Sequence, residues 1–262
     1  MSLAIFHVNA FTTTRFTGNP AAVCPLTHWL DDEILRSVAA ENNLSETAYF
    51  VPAGDHYELR WFTPTCEVKL CGHATLASAF VLMQILAPGC NSVRFETRFS
   101  GPLNVSRDGE LFAMEFPSLV PWPTPAPPVA LREGLGKAPK EVVQIEDNYF
   151  AVYAHESDVR SIRPDLRLLE TLHPAGVAIT APASDADFVS RYFAPSYGIP
   201  EDPVTGSTHC SLAPYWAQRL GKKVLHARQL SERGGELWCE VRSKGVTLKG
   251  KATLTMRGEL LI

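Results

Sequence analysis

RWFTP, residues 60–64, returns as RYFAP at residues 191–195, 131 positions later in a chain of 262. A shift of half the chain points to internal duplication. Both pentads close alternating, strand-like segments, and each is followed by an apolar run that a glycine opens. The first run reads EVKLCGHATLASAFVLMQIL and the second GIPEDPVTGSTHCSLAPYWAQRLG, so three extra residues bring Gly72 opposite Gly206. Beyond each run strand signals return: SVRFETRF, PLNVS and LFAMEF around Asp108-Gly109, against VLHARQL and ELWCEVR around Gly234-Gly235. The shared order of elements, more than the pentad itself, makes the halves two copies of one strand-rich unit with one central helix.

Residues 74–87 are apolar at eleven of fourteen positions, so this helix needs cover on nearly every side, which a sheet wrapped around it supplies. The second copy, from about Ser207 to Leu220, ends at Gly221 but contains Pro214, which removes a helix hydrogen bond and predicts a kink or a late start. Smaller helices are expected over 31–43, with Asp31, Asp32 and Glu33 in the first turn, and over roughly 165–172. Between the halves lies FPSLVPWPTPAPP, residues 116–128, an extended connector. The expected division is therefore 1–117, a linker at 118–128, and 129–262, with the last strand free to return to the first domain.

Composition narrows the class. A 45% hydrophobic content fits a folded globular chain, and 24 basic against 28 acidic residues leave a net charge of −4. No Lys/Arg run interleaves with aromatics, which argues against nucleic acid as a partner. The start, MSLAIFH, has no basic n-region and no apolar stretch of membrane length, so the expectation is a cytoplasmic protein that does not enter a membrane. Cys24, Cys66, Cys71, Cys90, Cys210 and Cys239 show no CxxC spacing, and reduced thiols are the default.

The chemistry concentrates at the two glycine-led helix starts. The first N–H groups of a helix lack intrahelical partners and the dipole adds positive potential, so two such ends facing one cleft form a receptor for a carboxylate. On this reading Gly72 and Gly206 supply backbone donors, Ser207 a hydroxyl, and His73 and Asp202 the groups that orient or protonate a bound molecule. Taken singly, Ser207 or Thr208 reads as a helix cap and Asp202 as a turn closer. The halves differ in residue type at matching points: His73 falls opposite Ser207, and Asp202 falls in the stretch that only the second half has. Asymmetry in a repeated frame suits an asymmetric ligand.

A general base is supplied by NNLSETAYF, residues 42–50, where Glu46 begins an apolar strand and the offset of 131 sets Val177 opposite it. Alone, Glu46 reads equally as an exposed strand-end acid. Tucked into an interdomain cleft, it would be desolvated enough to give and take a proton near neutral pH.

Phe16-Thr17-Gly18-Asn19-Pro20-Ala21, Ser45-Glu46-Thr47, Cys71-Gly72-His73-Ala74-Thr75 and Asp202-Pro203-Val204-Thr205-Gly206-Ser207 resemble, in order and context, the PhzF-like family of phenazine-biosynthesis isomerases. The resemblance spans nearly the whole chain. It implies an α+β fold of the diaminopimelate-epimerase type: two pseudo-symmetric domains, each a β-barrel-like sheet wrapped around a central helix. It further implies a homodimer and an isomerase acting on a small carboxylate without metal or organic cofactor. Glu46 takes the role of proton-transferring base, His73, Asp202 and Ser207 orienting or acid roles, and Ser45, Gly72 and Gly206 binding roles.

Other chemistries are open to comparison. Epimerase relatives use two cysteines; Cys71 matches one, but Thr205 stands where the second would be, which disfavours racemisation and leaves Cys71 as a packed residue. Neither GxGxxG nor GxxxxGK[ST] occurs at the helix starts. Cys71, His73, His209 and Cys210 lack zinc-ligand spacing. Tyr215, Trp216, Trp61 and Phe193 are candidates for pocket wall or for packing. A metabolite-binding protein without turnover remains the alternative from another class.

Overall fold

The computed structural model describes residues 2–145, 148–172 and 176–262. Its contacts divide the chain into Met1–Glu115 with Lys249–Ile262, and Phe116–Leu248.

In the first unit β1 (Ser2–Ala10) pairs antiparallel with β2 (Asn19–Pro25), and α1 (Asp32–Asn42) crosses over to β3 (Glu46–Ala53), parallel to β2. β3 turns back on β4 (His56–Phe62), which also carries the short β5 (Glu67–Val68). A second crossover, α2 (Gly72–Phe80) with a π turn over Val81–Leu86, leads to β6 (Ser92–Thr97), parallel to β4. β7 (Gly101–Asp108) and β8 (Leu111–Phe116) complete an antiparallel meander. Parallel neighbours need such crossovers because a tight turn cannot join them.

The second unit repeats the plan. β9 (Trp122–Pro123) lies on β10 (Glu141–Ile145), which pairs antiparallel with β11 (Asn148–Val152), and α3 (Val129–Leu135) sits between β9 and β10 in the chain. Through α4 (Glu156–Ser161) and α5 (Leu166–Glu170) the chain reaches β12 (Val177–Pro182), parallel to β11. β13 (Phe188–Ala194) pairs with β12 and carries β14 (Ile199–Asp202). The crossover α6 (Gly206–Leu220) leads to β15 (Val224–Gln229), parallel to β13, and on to β16 (Gly235–Arg242). β17 (Gly245–Gly250) precedes β18 (Ala252–Leu261), which pairs antiparallel with β1 in the first unit. The fold is thus α+β, each unit a barrel-like sheet around one helix. α2 packs on β1, β2, β3 and β18, and α6 on β15 and β16.

The repeated pentad now has a physical meaning. Arg60 lies two residues before Phe62, so both side chains share one strand face, and its guanidinium sits 5.0 Å from the Phe62 ring centre while its Nε and second terminal nitrogen bond Glu67 at 2.7 and 2.8 Å. Arg191 does the same with Phe193 at 4.9 Å and Glu201 at 2.8 and 2.9 Å. Matching Glu201 to Glu67 corrects the expected alignment. The extra residues fall between Arg191 and Glu201, where Pro195–Tyr197 forms a 3-10 turn, so Asp202 sits opposite Val68 in a shared strand and not in an insertion.

A second correction concerns Glu46. Thr47 faces Phe62 across the β3–β4 pair and Val177 faces Phe193 across β12–β13, so the counterpart of Glu46 is Gly176, one residue earlier than the offset suggested.

Pro214 neither delays nor ends α6. The carbonyl it leaves without its helical donor, on Cys210, accepts instead from the Leu119 N–H of the proline-rich segment at 3.2 Å. Trp61, Phe193, Tyr215 and Trp216 are all buried, and the Trp216 indole donates to the Thr180 hydroxyl at 2.9 Å, so packing accounts for them. Separate hydrophobic clusters serve the units, one around Leu35, Tyr49 and Phe62 and the other around Leu131, Ile179 and Phe193. Among the described residues no helix is long and apolar enough to cross a membrane.

Candidate active site

Chain geometry delivers Glu46 and His73 to one place. α1 ends at Asn43 in a left-handed conformation (φ 47°), Ser45 follows in the turn, and Glu46 opens β3 beside Ala21 of β2. His73 stands in the first turn of α2, which packs on β2 and β3. Glu46 Oε2 and His73 Nε2 lie 3.2 Å apart, with only 13% of the glutamate side chain exposed. Glu46 is therefore not the exposed strand-end acid that its position alone allows.

The tautomer of His73 follows from its other partner. The imidazole hydrogen-bonds the Pro20 backbone. Proline has no N–H, so its carbonyl accepts and the imidazole donates. With Nε2 turned to Glu46, the donor is Nδ1, and the Nε2 lone pair faces Glu46 Oε2 with no hydrogen bond between the two. Burial, only partly opposed by the Pro20 bond, pushes His73 down to about 4, so the ring is neutral at pH 7. A proton arriving on Glu46 Oε2 would meet an acceptor 3.2 Å away.

Cys71 joins this group, its Sγ 3.5 Å from His73 Nδ1. Glu46, Cys71 and His73 offer donor atoms within 4.8 Å of one another, the spacing of a possible metal set. The imidazole, however, turns a different nitrogen to each neighbour, and one ion binds the nitrogen on its own side only. Gly72, half-buried, begins α2, and the first N–H to bond back is that of Thr75, to Cys71 O at 3.1 Å, which leaves the earlier amides pointing out of the helix start.

In the second unit Asp202 ends β14 and α6 begins at Gly206 after the extended Thr205. The Thr205 hydroxyl donates to Asp202 Oδ2. Gln229, at the end of β15, spans the turn: its Nε2 donates to Asp202 O at 2.8 Å and to Thr205 Oγ1 at 3.1 Å, and its Oε1 accepts from Thr205 N at 2.9 Å. Ser207, in the first turn of α6, is exposed, whereas Gly206 is buried. His209 is fully buried, donates from Nδ1 to Thr205 O at 2.7 Å, and is pushed down to about 4 by burial. Cys210 is buried and its thiol donates to Gly206 O, so His209 and Cys210 serve the helix interior.

At the point matching Glu46 the second unit is closed. A Cβ on Gly176 would meet the Tyr192 hydroxyl at 2.0 Å and Asn148 Oδ1 at 2.5 Å, and those two groups hydrogen-bond each other at 2.9 Å. The polar roles of Thr205 and Gln229 were not legible in the sequence. Thr205 lies three residues from Asp202 with no sequence signal for a bond between them, and Gln229 comes from a strand 27 residues from Asp202.

A family model described as phenazine biosynthesis-like protein matches residues 8–258. The chain belongs to the phenazine biosynthesis-like family. Its similarity to an uncharacterized isomerase of Pseudomonas aeruginosa is 53% identity over 260 residues, covering 99% of both chains. A crystal structure of a PhzF-family phenazine biosynthesis protein from Enterococcus faecalis matches with TM-score 0.96 at 42% identity over 100% of both chains. A probable proline racemase from Agrobacterium radiobacter shares the fold at TM-score 0.60 and 12% identity, covering 99% of this chain and 92% of that one. The family resemblance and fold expected from the four motifs are therefore those found.

Proposed function

We propose that the protein is an isomerase that moves a proton within a small unsaturated amino- or hydroxy-carboxylic acid, with Glu46 as the acid/base group. The contact between Glu46 Oε2 and His73 Nε2 at 3.2 Å carries the reading. Glu46, as the carboxylate, takes a proton from one carbon and returns it to another position of the conjugated system, while neutral His73, its Nε2 3.2 Å from Glu46 Oε2, orients the protonated carboxyl group between the two steps. Ser45 and Gly72 are proposed as carboxylate-binding groups through hydroxyl and backbone donors, Gly206 as a further binding group, and Ser207 and Asp202 as orienting groups for a polar substituent. No step in this scheme calls on a metal or an organic cofactor, and the acting species is proposed to be a cytoplasmic homodimer.

One-base chemistry is favoured over two-cysteine racemisation by Thr205. That residue replaces the second thiol, and its hydroxyl is committed to Asp202. The test is incubation of wild-type protein and Glu46→Gln with a panel of cyclic and acyclic unsaturated amino- and hydroxy-acids in D2O, read by mass spectrometry. Wild type incorporates deuterium and forms an isomer from at least one acid, and Glu46→Gln does neither while still binding that acid. Retention of an acid without exchange would identify a binding protein, and loss of optical rotation a racemase.

A further inference from the structure

We propose that Gln229 and Thr205 are positioning residues for the Asp202 carboxylate, with Gln229 acting through the Thr205 hydroxyl; the inference rests on the substrate-orienting role of Asp202 given above. Gln229 is 1% exposed, and its amide can point only one way. As found, oxygen meets the Thr205 N–H and nitrogen meets the Asp202 carbonyl, whereas a reversed amide would set donor against donor and acceptor against acceptor. Both hydrogens of Nε2 are then spent, one on Asp202 O and one on Thr205 Oγ1.

The consequence falls on the hydroxyl. Having accepted from Gln229, Thr205 Oγ1 has a single hydrogen to place, and it goes to Asp202 Oδ2. A carboxylate accepts only, so the chain of bonds runs in one direction, from buried amide through hydroxyl to carboxylate, and fixes the rotamer of Asp202. Ser231 braces the same turn, its hydroxyl donating to Pro203 O at 2.8 Å.

Comparison of the two copies separates this network from fold maintenance. The first unit has Val68 and Cys71 where the second has Asp202 and Thr205, and its matching strand end is Thr97, whose hydroxyl donates to Gly101 O at 2.8 Å within the β6–β7 turn. The unit therefore folds without the glutamine bridge, which appears only where there is a carboxylate to orient.

Two measurements test the proposal. The first needs no turnover: the side-chain amide resonances of Gln229 are followed by 1H–15N NMR between about pH 3 and pH 8, the range in which a carboxyl group titrates. In a His209→Gln background, which removes titration of the imidazole bonded to Thr205 O, they show a step with pH that disappears in Asp202→Asn, and that disappears also in Thr205→Val although the bonds from Gln229 to the backbone remain. The second is deuterium exchange with the acid identified above. Thr205→Val and Gln229→Glu lower the rate about 10- to 100-fold, the worth of a hydrogen bond to a charged group, and Thr205→Ser restores most of it. Gln229 resonances that stay flat with pH, that ignore Asp202→Asn, or that keep the step in Thr205→Val would overturn the proposal. So would a full exchange rate in folded Thr205→Val. A step present in a protein that turns over no acid refutes the isomerase reading and leaves the positioning network standing.

Discussion

In the first unit Arg60 grips Glu67 beside the Phe62 ring, and in the second Arg191 grips Glu201 beside Phe193, with corresponding distances equal to within 0.1 Å. A few residues further on, the likeness ends. The first helix start carries Cys71 and His73 and faces Glu46; the second carries Thr205 and Ser207 and answers to Asp202 and Gln229. Where Glu46 stands in the first unit, Gly176 with Tyr192 packed against it stands in the second. Groups that hold crossing strands together are duplicated, and groups that can handle a proton or an anion are not. A duplicated backbone fixes where a helix begins and still allows matching first-turn positions to differ, as buried His73 and exposed Ser207 do.

The sharpest way to break the comparison is at these unmatched groups. Glu46→Gln is expected to lower the rate of proton transfer about 10²- to 10⁴-fold with KM little changed, as loss of a general base does. Ser207→Ala, its contrast in the second unit, is expected to raise KM about tenfold and leave the maximal rate nearly intact. Steady-state kinetics on the acid identified by exchange distinguishes them. A rate loss from Ser207→Ala as large as that from Glu46→Gln would overturn a binding role for Ser207.

The matched clamps sharpen it next. Removing one partner of a buried ion pair costs about 3–5 kcal/mol, so Arg60→Leu and Arg191→Leu should both lower the urea midpoint strongly. Arg191 also donates to the carbonyls of Val159 and Ile162 at 3.1 and 2.7 Å, whereas the remaining Arg60 bond goes to the exposed Asp32. Arg191→Leu is therefore the costlier by about 1–3 kcal/mol, the penalty for buried carbonyls left without donors. Equal losses would mean that those carbonyls find other donors.

Each unit also buries one histidine at its helix start, and both are pushed down to about 4 from 6.5 by burial. The unfolded chain takes up these protons first, so stability is full above pH 6.5 and falls as pH drops toward about 4. Each histidine contributes about 3 kcal/mol to that fall. Urea midpoints measured across the window should drop steeply in wild type and less steeply in His209→Gln, where His73 and the partly buried His7 still contribute. An unchanged slope would rule His209 out as a source.

The smallest effect is at the closed position. Gly176→Ala forces a methyl group against the Tyr192 hydroxyl and should destabilise by about 1–3 kcal/mol. Combining it with Tyr192→Phe removes the hydroxyl and should recover part of the loss, which thermal melts of the double-mutant cycle measure.

Duplication, the two central helices and the residues at their starts were set by sequence alone, because hydrophobic period and glycine placement are local properties that any chain with this order of residues must satisfy. The four motifs that carry the family resemblance were legible as local strings of residue types, and the roles proposed for Ser45, Glu46, Gly72, His73, Asp202, Gly206 and Ser207 rest on that resemblance. Tertiary structure decided what an offset could not. Cross-strand register moved the counterpart of Glu46 to Gly176, and the clamp pairing moved Asp202 out of the insertion. It also supplied Pro20, Leu119 and Gln229 as partners of His73, Cys210 and Thr205. A hydrogen bond forms between atoms about 3 Å apart however far apart they lie in the chain, so partners contributed by other segments leave no periodic trace for a sequence to show.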